Sequence, residues 1–275
     1  MNRYTLLLDT PDVTIGRFDH PENHPHRDPP EETAEAYAIS FVERGGFEVQ
    51  MGRRSWQLAP GDVFVNYPGL TYRCRHREES PTDVCLSVRY KRWDEDPAGA
   101  PPALKENAPV LPATNRLAYL RWSLASSLGD CAATDVMARE VSAAALLEEA
   151  SKHPGEGSRR LYGKQQLPWY AERVHAVRDR LEKDYAEEHS LGVLARSVGM
   201  SKFHFARIFS ELTGMPPHRY LLRIRLTQAA RKLREGASVT EACYSDGFHN
   251  LSHFVRLFQR RFGASPSRYA RQRIS

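Results

Sequence analysis

At 275 residues and 41% apolar composition, the chain has enough material for two domains with a core each. No apolar run is long enough to span a bilayer, and MNRYTLLLDTPDV is too briefly apolar to be a signal peptide, so a cytoplasmic protein is expected. The net charge is uneven: residues 169–275 hold 19 Lys and Arg against 10 Asp and Glu (+9), while residues 1–168 hold 20 against 24 (−4). A basic third beside an acidic remainder is the footprint of a nucleic-acid domain joined to something else, with a merely solvated basic face as the bland alternative.

In chain order, the first elements are short strands. AYAISFVE (36–43) is rich in strand formers, and Gly45-Gly46 reads as a hairpin turn. FEVQM alternates, with Phe47, Val49 and Met51 on one face; Gly52 turns the chain into RSWQL, and APGD (59–62) is a strong turn signal. DVFVNY, TYRCR and DVCLSVRY follow, the last with Val84, Leu86, Val88 and Tyr90 on one face. Six or seven strands at this spacing predict a barrel or sandwich. Residues 94–114 are Pro-rich and read as a connector. RLAYLRWSLASSL and TDVMAREVSAAALLEEA predict two helices, broken near Gly129-Asp130, that pack on the strand domain and form a dimer interface. Residues 151–168 mix Gly, Pro, Ser and charge, and read as a linker. From Trp169 onward the pattern is helical.

One frame is written twice in this helical part. HFARIF (His204–Phe209) returns as HFVRLF (His253–Phe258), and the same 49-residue shift lays Gly214 on Gly263, Pro217 on Pro266, Arg219 on Arg268 and Tyr220 on Tyr269. Two copies are too few for a solenoid, so they predict one structural unit built twice. In the first copy, Leu191–Ser197 is a short helix, Gly199 suits a positive-φ turn, and Ser201 caps the next helix. Phe205, Ile208, Phe209 and Leu212 fall at core spacing, leaving Lys202, Phe203, Ala206, Arg207 and Ser210 outward. In the second, Asn250 is the cap; Phe254, Leu257 and Phe258 face in, and Leu251, Ser252, Val255, Arg256 and Gln259 face out. Each copy reads as a helix-turn-helix. Arg207 and Arg256 hold matching outward places, where arginine reads guanine edges or binds phosphate. His204 and His253, each before a core Phe, read as margin packing, with a phosphate contact as the alternative. The intervening segment 216–236 predicts a rod of about 27 Å, matched to major-groove faces about 34 Å apart.

The segments SLGVLARSVGMSKFHFARIFSELTGMPPHRYLLRIRL and ACYSDGFHNLSHFVRLFQRRFGASPSRYARQR resemble the AraC/XylS family of transcription regulators. The resemblance covers the helical third. It implies a seven-helix DNA-binding domain over 169–275 with two helix-turn-helix units. Ser201, Lys202, Phe203, Ala206 and Arg207, with Asn250, Leu251, Ser252, Val255 and Arg256, then form the DNA-contacting set. Ala206, Leu251 and Val255 are apolar, fitting thymine methyls, or marking a second helix that reads little sequence.

The first half resembles the cupin-like sensor domains of that family through its paired turns and APGDVFVNYPG. The expected chain is therefore multidomain α+β: a cupin-like effector-binding barrel (1–114), a helical dimerisation and packing segment (115–150), a linker (151–168) and the all-α reader. His24-Pro25-His26 with Glu31 fits the first part of the cupin metal pattern, but Tyr72 stands where the later His would be. HPHRDPPEE therefore reads as an exposed polar loop, and no metal or cofactor is expected. Cys74, His76 and Cys85 make a second metal or redox option if YRCRH and DVCLSV are neighbouring strands. The four cysteines include no CxxC pair and are expected to be reduced. The resulting expectation is an effector-responsive activator, a homodimer on double-stranded DNA that contacts RNA polymerase. The alternatives are a constitutive regulator whose barrel only dimerises, and a metal-dependent cupin enzyme.

Overall fold

The structure is a computed structural model that describes residues 3–20, 30–76, 82–91, 109–134, 136–138, 140–141 and 161–271. The chain divides into two compact units, Met1–Pro168 and Trp169–Ser275.

Among its described residues the first unit has ten strands: β1 (Arg3–Asp9), β2 (Val13–His20), β3 (Glu32–Thr33), β4 (Ala38–Gly45), β5 (Phe47–Met51), β6 (Arg54–Leu58), β7 (Val63–Asn66), β8 (Thr71–Arg75), β9 (Asp83–Tyr90) and β10 (Val110–Leu111). Among the described residues they do not close into the expected barrel. They form a six-stranded sheet in the order β1-β2-β9-β4-β7-β10 and a four-stranded sheet in the order β3-β8-β5-β6. Gly45-Gly46 is the reason the two can succeed each other so abruptly. It is not a hairpin turn: β4 pairs with β7 and β9, whereas β5 pairs with β6 and β8, so the diglycine carries the chain from one sheet to the other. Gly45 has φ +67°, and a Cβ there would stand 1.8 Å from the Thr82 carbonyl oxygen; one on Gly46 would stand 2.5 Å from that of Leu58. The demand is for backbone approach, which only glycine allows.

Strand alternation gives each sheet two uses. On β9, Cys85, Ser87 and Arg89 line a cavity, while Leu86 and Val88 are fully buried on the other face. Val42, Phe47, Val49, Leu58, Phe64, Leu70, Tyr72 and Cys85 make one core drawn from both sheets. Helix α1 (Asn115–Ser127) is capped by Thr114 and buries Leu117, Tyr119, Leu120 and Leu124. Its Arg121 and Arg17 of β2 donate to the two carboxylate oxygens of Glu43, at 2.9 and 2.8 Å. Further helical residues cover 131–134 and 136–138, and Tyr90 on β9 donates to the Ala138 carbonyl at 2.6 Å. Residues 142–150 of the expected second helix and 151–160 of the expected linker lie outside the described residues.

The second unit carries seven helices among the described residues: α2 (Gln166–Lys183), α3 (Leu191–Ser197), α4 (Lys202–Thr213), α5 (Pro217–Glu235), α6 (Val239–Ser245), α7 (Leu251–Phe262) and α8 (Pro266–Arg271). The 49-residue repeat is a repeat of packing. Phe205 and Phe209 meet at 5.5 Å and 58° between ring planes; their counterparts Phe254 and Phe258 meet at 5.6 Å and 59°. Phe209 meets Tyr220 edge-on at 5.5 Å, and Phe258 meets Tyr269 edge-on at 5.3 Å. Both α4 and α7 end on a left-handed glycine, Gly214 and Gly263.

Gly247, in the turn between α6 and α7, has φ +81°, and a Cβ there would lie 2.5 Å from the Ala186 carbonyl oxygen. Gly247→Ala is expected to destabilise the unit by at least about 1–2 kcal/mol, the cost of a left-handed alanine before the clash is counted. Urea unfolding of the full chain checks this, and an unchanged transition would refute it.

Candidate nucleic-acid interface and the sheet-unit cavity

Helices α3 and α4 are joined by Val198, Gly199 (φ +67°) and Met200, and α6 and α7 by a segment holding Gly247. Ser201 Oγ accepts from the His204 amide at 3.4 Å, and Asn250 Oδ1 accepts from the His253 amide at 2.8 Å, so each second helix of a pair starts on a side-chain cap. The caps fix where the first turn points. On α4, Phe205, Ile208, Phe209 and Leu212 are buried. Lys202 and Arg207 are exposed, Ala206 is half-buried, and Phe203 is 86% exposed. A large aromatic ring held in water beside two cations has no folding rationale. Arg207 lies 3.5 Å from Glu211 one turn on, which holds the guanidinium along the helix.

The second pair is less open. Ser252 and Arg256 are exposed, but Leu251 and Val255 are half-buried against the core cluster of Phe248, Phe254 and Phe258. Arg256 lies 3.0 Å from His253 Nδ1, so His253 sits with the exposed cation, whereas His204 packs 5.6 Å from the Tyr170 ring.

Residues with no sequence signature hold the two pairs in place. Arg225 on α5 donates to three carbonyls: Tyr185 (2.7 Å), Glu187 (2.8 Å) and Gly247 (2.7 Å). It thus ties the chain before α3 to the turn before α7. Buried Arg178 on α2 donates to the Tyr220 hydroxyl at 2.7 Å, which donates to Glu182 at 2.6 Å. Asp246, fully buried in the second turn, takes Lys232 of α5 at 2.5 Å. Burial, only partly offset by Lys232, raises the Asp246 pKa.

A model of a helix-turn-helix domain matches residues 194–272. The HTH-type transcriptional activator RhaS of Escherichia coli is 37% identical over 97 residues, 35% of this chain and 35% of RhaS. The helical unit is an AraC-type helix-turn-helix domain. An uncharacterised HTH-type transcriptional regulator of Bacillus subtilis, YbfI, is 27% identical over 224 residues, 79% of this chain and 78% of that protein. A crystal structure of a probable AraC family transcriptional regulator from Rhodopseudomonas palustris is 31% identical, covering 38% of this chain and 99% of that one, with a TM-score of 0.35. With an AraC-type domain and relatives that are regulators, the chain is a DNA-binding transcription regulator and not an enzyme. The matched span, 194–272, contains every residue of the expected DNA-contacting set, from Ser201 to Arg256.

The sheet unit holds a cavity of about 580 Å³ between its two sheets, lined among others by Phe18, Glu32, Phe64, Asn66, Tyr72 and Arg89. Cys74, His76 and Cys85 all reach it, although β8 and β9 are not neighbours: they lie in opposite sheets, and the cavity is what brings their side chains together. His24 and His26 lie outside the described residues. Two residues that sequence reasoning missed, His20 and Asp83, join His76 at the cavity wall. Asp83 is 2% exposed, with His20 Nδ1 at 2.9 Å, His76 Nε2 in contact with the same oxygen, and the Cys85 thiol donating to the other at 3.3 Å. Burial alone would raise the Asp83 pKa, but the hydrogen bonds from His20 and His76 outweigh it and hold the carboxyl far below its usual range. His20 is raised by its bond to Asp83. Burial pushes both thiols, Cys74 and Cys85, well up, with Glu32 adding at Cys74 and Asp83 at Cys85. Tyr72 is likewise raised by burial, and its hydroxyl donates to Glu32 at 3.3 Å. No helix among the described residues is long and apolar enough to cross a membrane.

Proposed function

We propose that the chain is a cytoplasmic, effector-responsive transcription activator that sets α4 and α7 into two adjacent major-groove segments of double-stranded DNA. The observation that carries this reading is the outward row of α4, where Phe203 stands 86% exposed one turn from Arg207, in a frame repeated at Leu251 to Arg256. Ser201 and Asn250 take the His204 and His253 amides as caps, and the earlier first-turn amides of each helix meet phosphate. Lys202 neutralises backbone charge. Phe203, Ala206 and Arg207 meet base edges in the first window, and Leu251, Ser252, Val255 and Arg256 in the second. Because Leu251 and Val255 are half-buried, the second window takes less direct readout than the first. The α5 rod of 19 residues, about 28 Å long, spaces the two helix-turn-helix units.

The first unit is then a cupin-like effector domain (1–114) whose two-sheet cavity, at about 580 Å³, is within the range that takes a small molecule. Residues 115–150 supply a homodimer interface, 151–168 a linker, and the DNA-bound form contacts RNA polymerase.

The test is a nuclease footprint on genomic promoter fragments with and without Arg207→Ala. Two protected motifs about one helical turn apart are expected. The substitution is expected to cost about 1–3 kcal/mol of affinity and to relax preference in the first window alone. An unchanged footprint and affinity would remove Arg207 from the interface.

A further inference from the structure

His20, His76 and Asp83 converge where the two sheets meet at one end of the cavity. His20 and Asp83 are direct cross-strand partners on β2 and β9 of the six-stranded sheet. His76 follows β8 of the four-stranded sheet and closes over the pair, with its ring 5.3 Å from that of His20. Two imidazole nitrogens from different sheets are thus aimed at one carboxylate oxygen. The three donor atoms all lie within 4.8 Å of one another.

We propose that this cluster is a binding site for a borderline divalent transition-metal ion of the zinc, cobalt, nickel or iron(II) class, with His20 Nδ1, His76 Nε2 and an Asp83 oxygen as ligands. The proposal concerns the sheet unit and is independent of how the helical unit reads DNA. The donor set selects the ion. Two imidazoles with one carboxylate are the wrong ligands for magnesium or calcium, which take oxygen throughout, and suit borderline first-row ions. The spacing also fits. Ligand atoms about 2.0–2.2 Å from a tetrahedral zinc stand about 3.3 Å apart. To admit the ion the 2.9 Å His20–Asp83 pair opens by a few tenths of an ångström, and the closer His76–Asp83 contact opens further. Entry of the ion sends any proton shared between imidazole and carboxylate to solvent. Two further contacts border the set: Cys85 donates to the second Asp83 oxygen at 3.3 Å, and the Phe47 ring packs 6.3 Å from His76. All three ligands line the cavity, so an ion held by them sits on its wall with at least one position facing inward. An oxygen- or nitrogen-donor molecule in the cavity would complete the shell there.

The test uses the full chain, stripped with chelator, and zinc ion alone. Equilibrium dialysis with elemental analysis is expected to return one zinc per chain, retained against excess magnesium and removed by chelator. His20→Gln and His76→Gln are each expected to lose stoichiometric zinc while keeping the unfolding transition. His20 is half-buried, so its variant keeps the test open should His76→Gln fail to fold. Cobalt(II) titration gives a second readout: visible absorption bands expected in the native chain and missing in His20→Gln. Failure of the native chain to retain zinc would overturn the proposal and leave the cluster as a hydrogen-bonded clasp between the sheets. Zinc retained by both His variants but lost in His24→Gln or His26→Gln would also overturn it, by moving the ion to the HPH segment.

Discussion

Lys232→Met is expected to lower the stability of the helical unit by about 3 kcal/mol, the low end of the range for stripping a partner from a buried charge. The low end applies because the Lys232 side chain is a quarter exposed, whereas Asp246 is completely buried. Lys232 Nζ bridges Asp246 at 2.5 Å and Ser245 at 2.8 Å, so its loss leaves a carboxylate without its cation inside the second turn. The carboxylate must then take a proton or draw water into the unit, and each is costly. The double variant Lys232→Met with Asp246→Leu tests that cause. Removing both charges is expected to recover most of the loss, because the penalty lies in the orphaned carboxylate and not in the missing attraction. Urea unfolding of the two variants decides it; equal destabilisation in both would place the cost in packing instead. The same defect has a functional reading. Asp246 precedes α7 and not α4, so Lys232→Met is expected to shorten the footprint by its second window while the first persists.

The helical unit was legible in the sequence because its determinants are local. Phe205, Ile208, Phe209 and Leu212 recur at the helical period and are buried together. Ser201 and Asn250 cap where their side-chain chemistry says they should, and Gly214 and Gly263 end the helices. The doubled frame signals doubled packing, down to the matched edge-on contacts of Tyr220 and Tyr269. What failed to show was whatever depends on partners far along the chain. Leu251 and Val255 fall on the outward side of a single helix, yet the hydrophobic cluster of the second pair covers them in part. Arg225 looks like one of many surface cations, because its three acceptors are backbone carbonyls without a residue-type signature. In the sheet unit, alternation gave the faces of β5 and β9 but not which strands are neighbours. Gly45-Gly46 has the composition of a hairpin turn and the role of a crossing between sheets. His20 and Asp83 lie 63 positions apart, and only the antiparallel register of β2 with β9 makes them a pair. The HPH motif drew notice for its spacing, whereas the convergent set consists of single residues from three separate segments.

Binding of the helical unit to DNA is expected to fall steeply with salt, by about a thousandfold between roughly 50 and 200 mM for a protein that neutralises about six phosphates. The charge is there: this unit carries a net +9, with Lys202, Arg207, Arg256 and Arg260 all exposed on α4 and α7. Each cation that meets a phosphate releases a counterion, so the slope of log affinity against log salt counts such contacts. Single substitutions then sort the residues by role. Lys202→Ala is expected to reduce the slope by about one and to weaken every sequence alike, as a phosphate contact does. Phe203→Ala removes no charge, so its slope should match the native chain while affinity for the preferred site drops. Its stability should stay within about 0.5 kcal/mol, since an exposed ring supports no core. That combination separates a residue that reads DNA from one that holds the fold. A Phe203→Ala chain binding its site as tightly as the native one would take the ring out of the interface. A flat salt dependence would do more, because it would remove the phosphate contacts on which a basic helical unit must rely to find DNA at all.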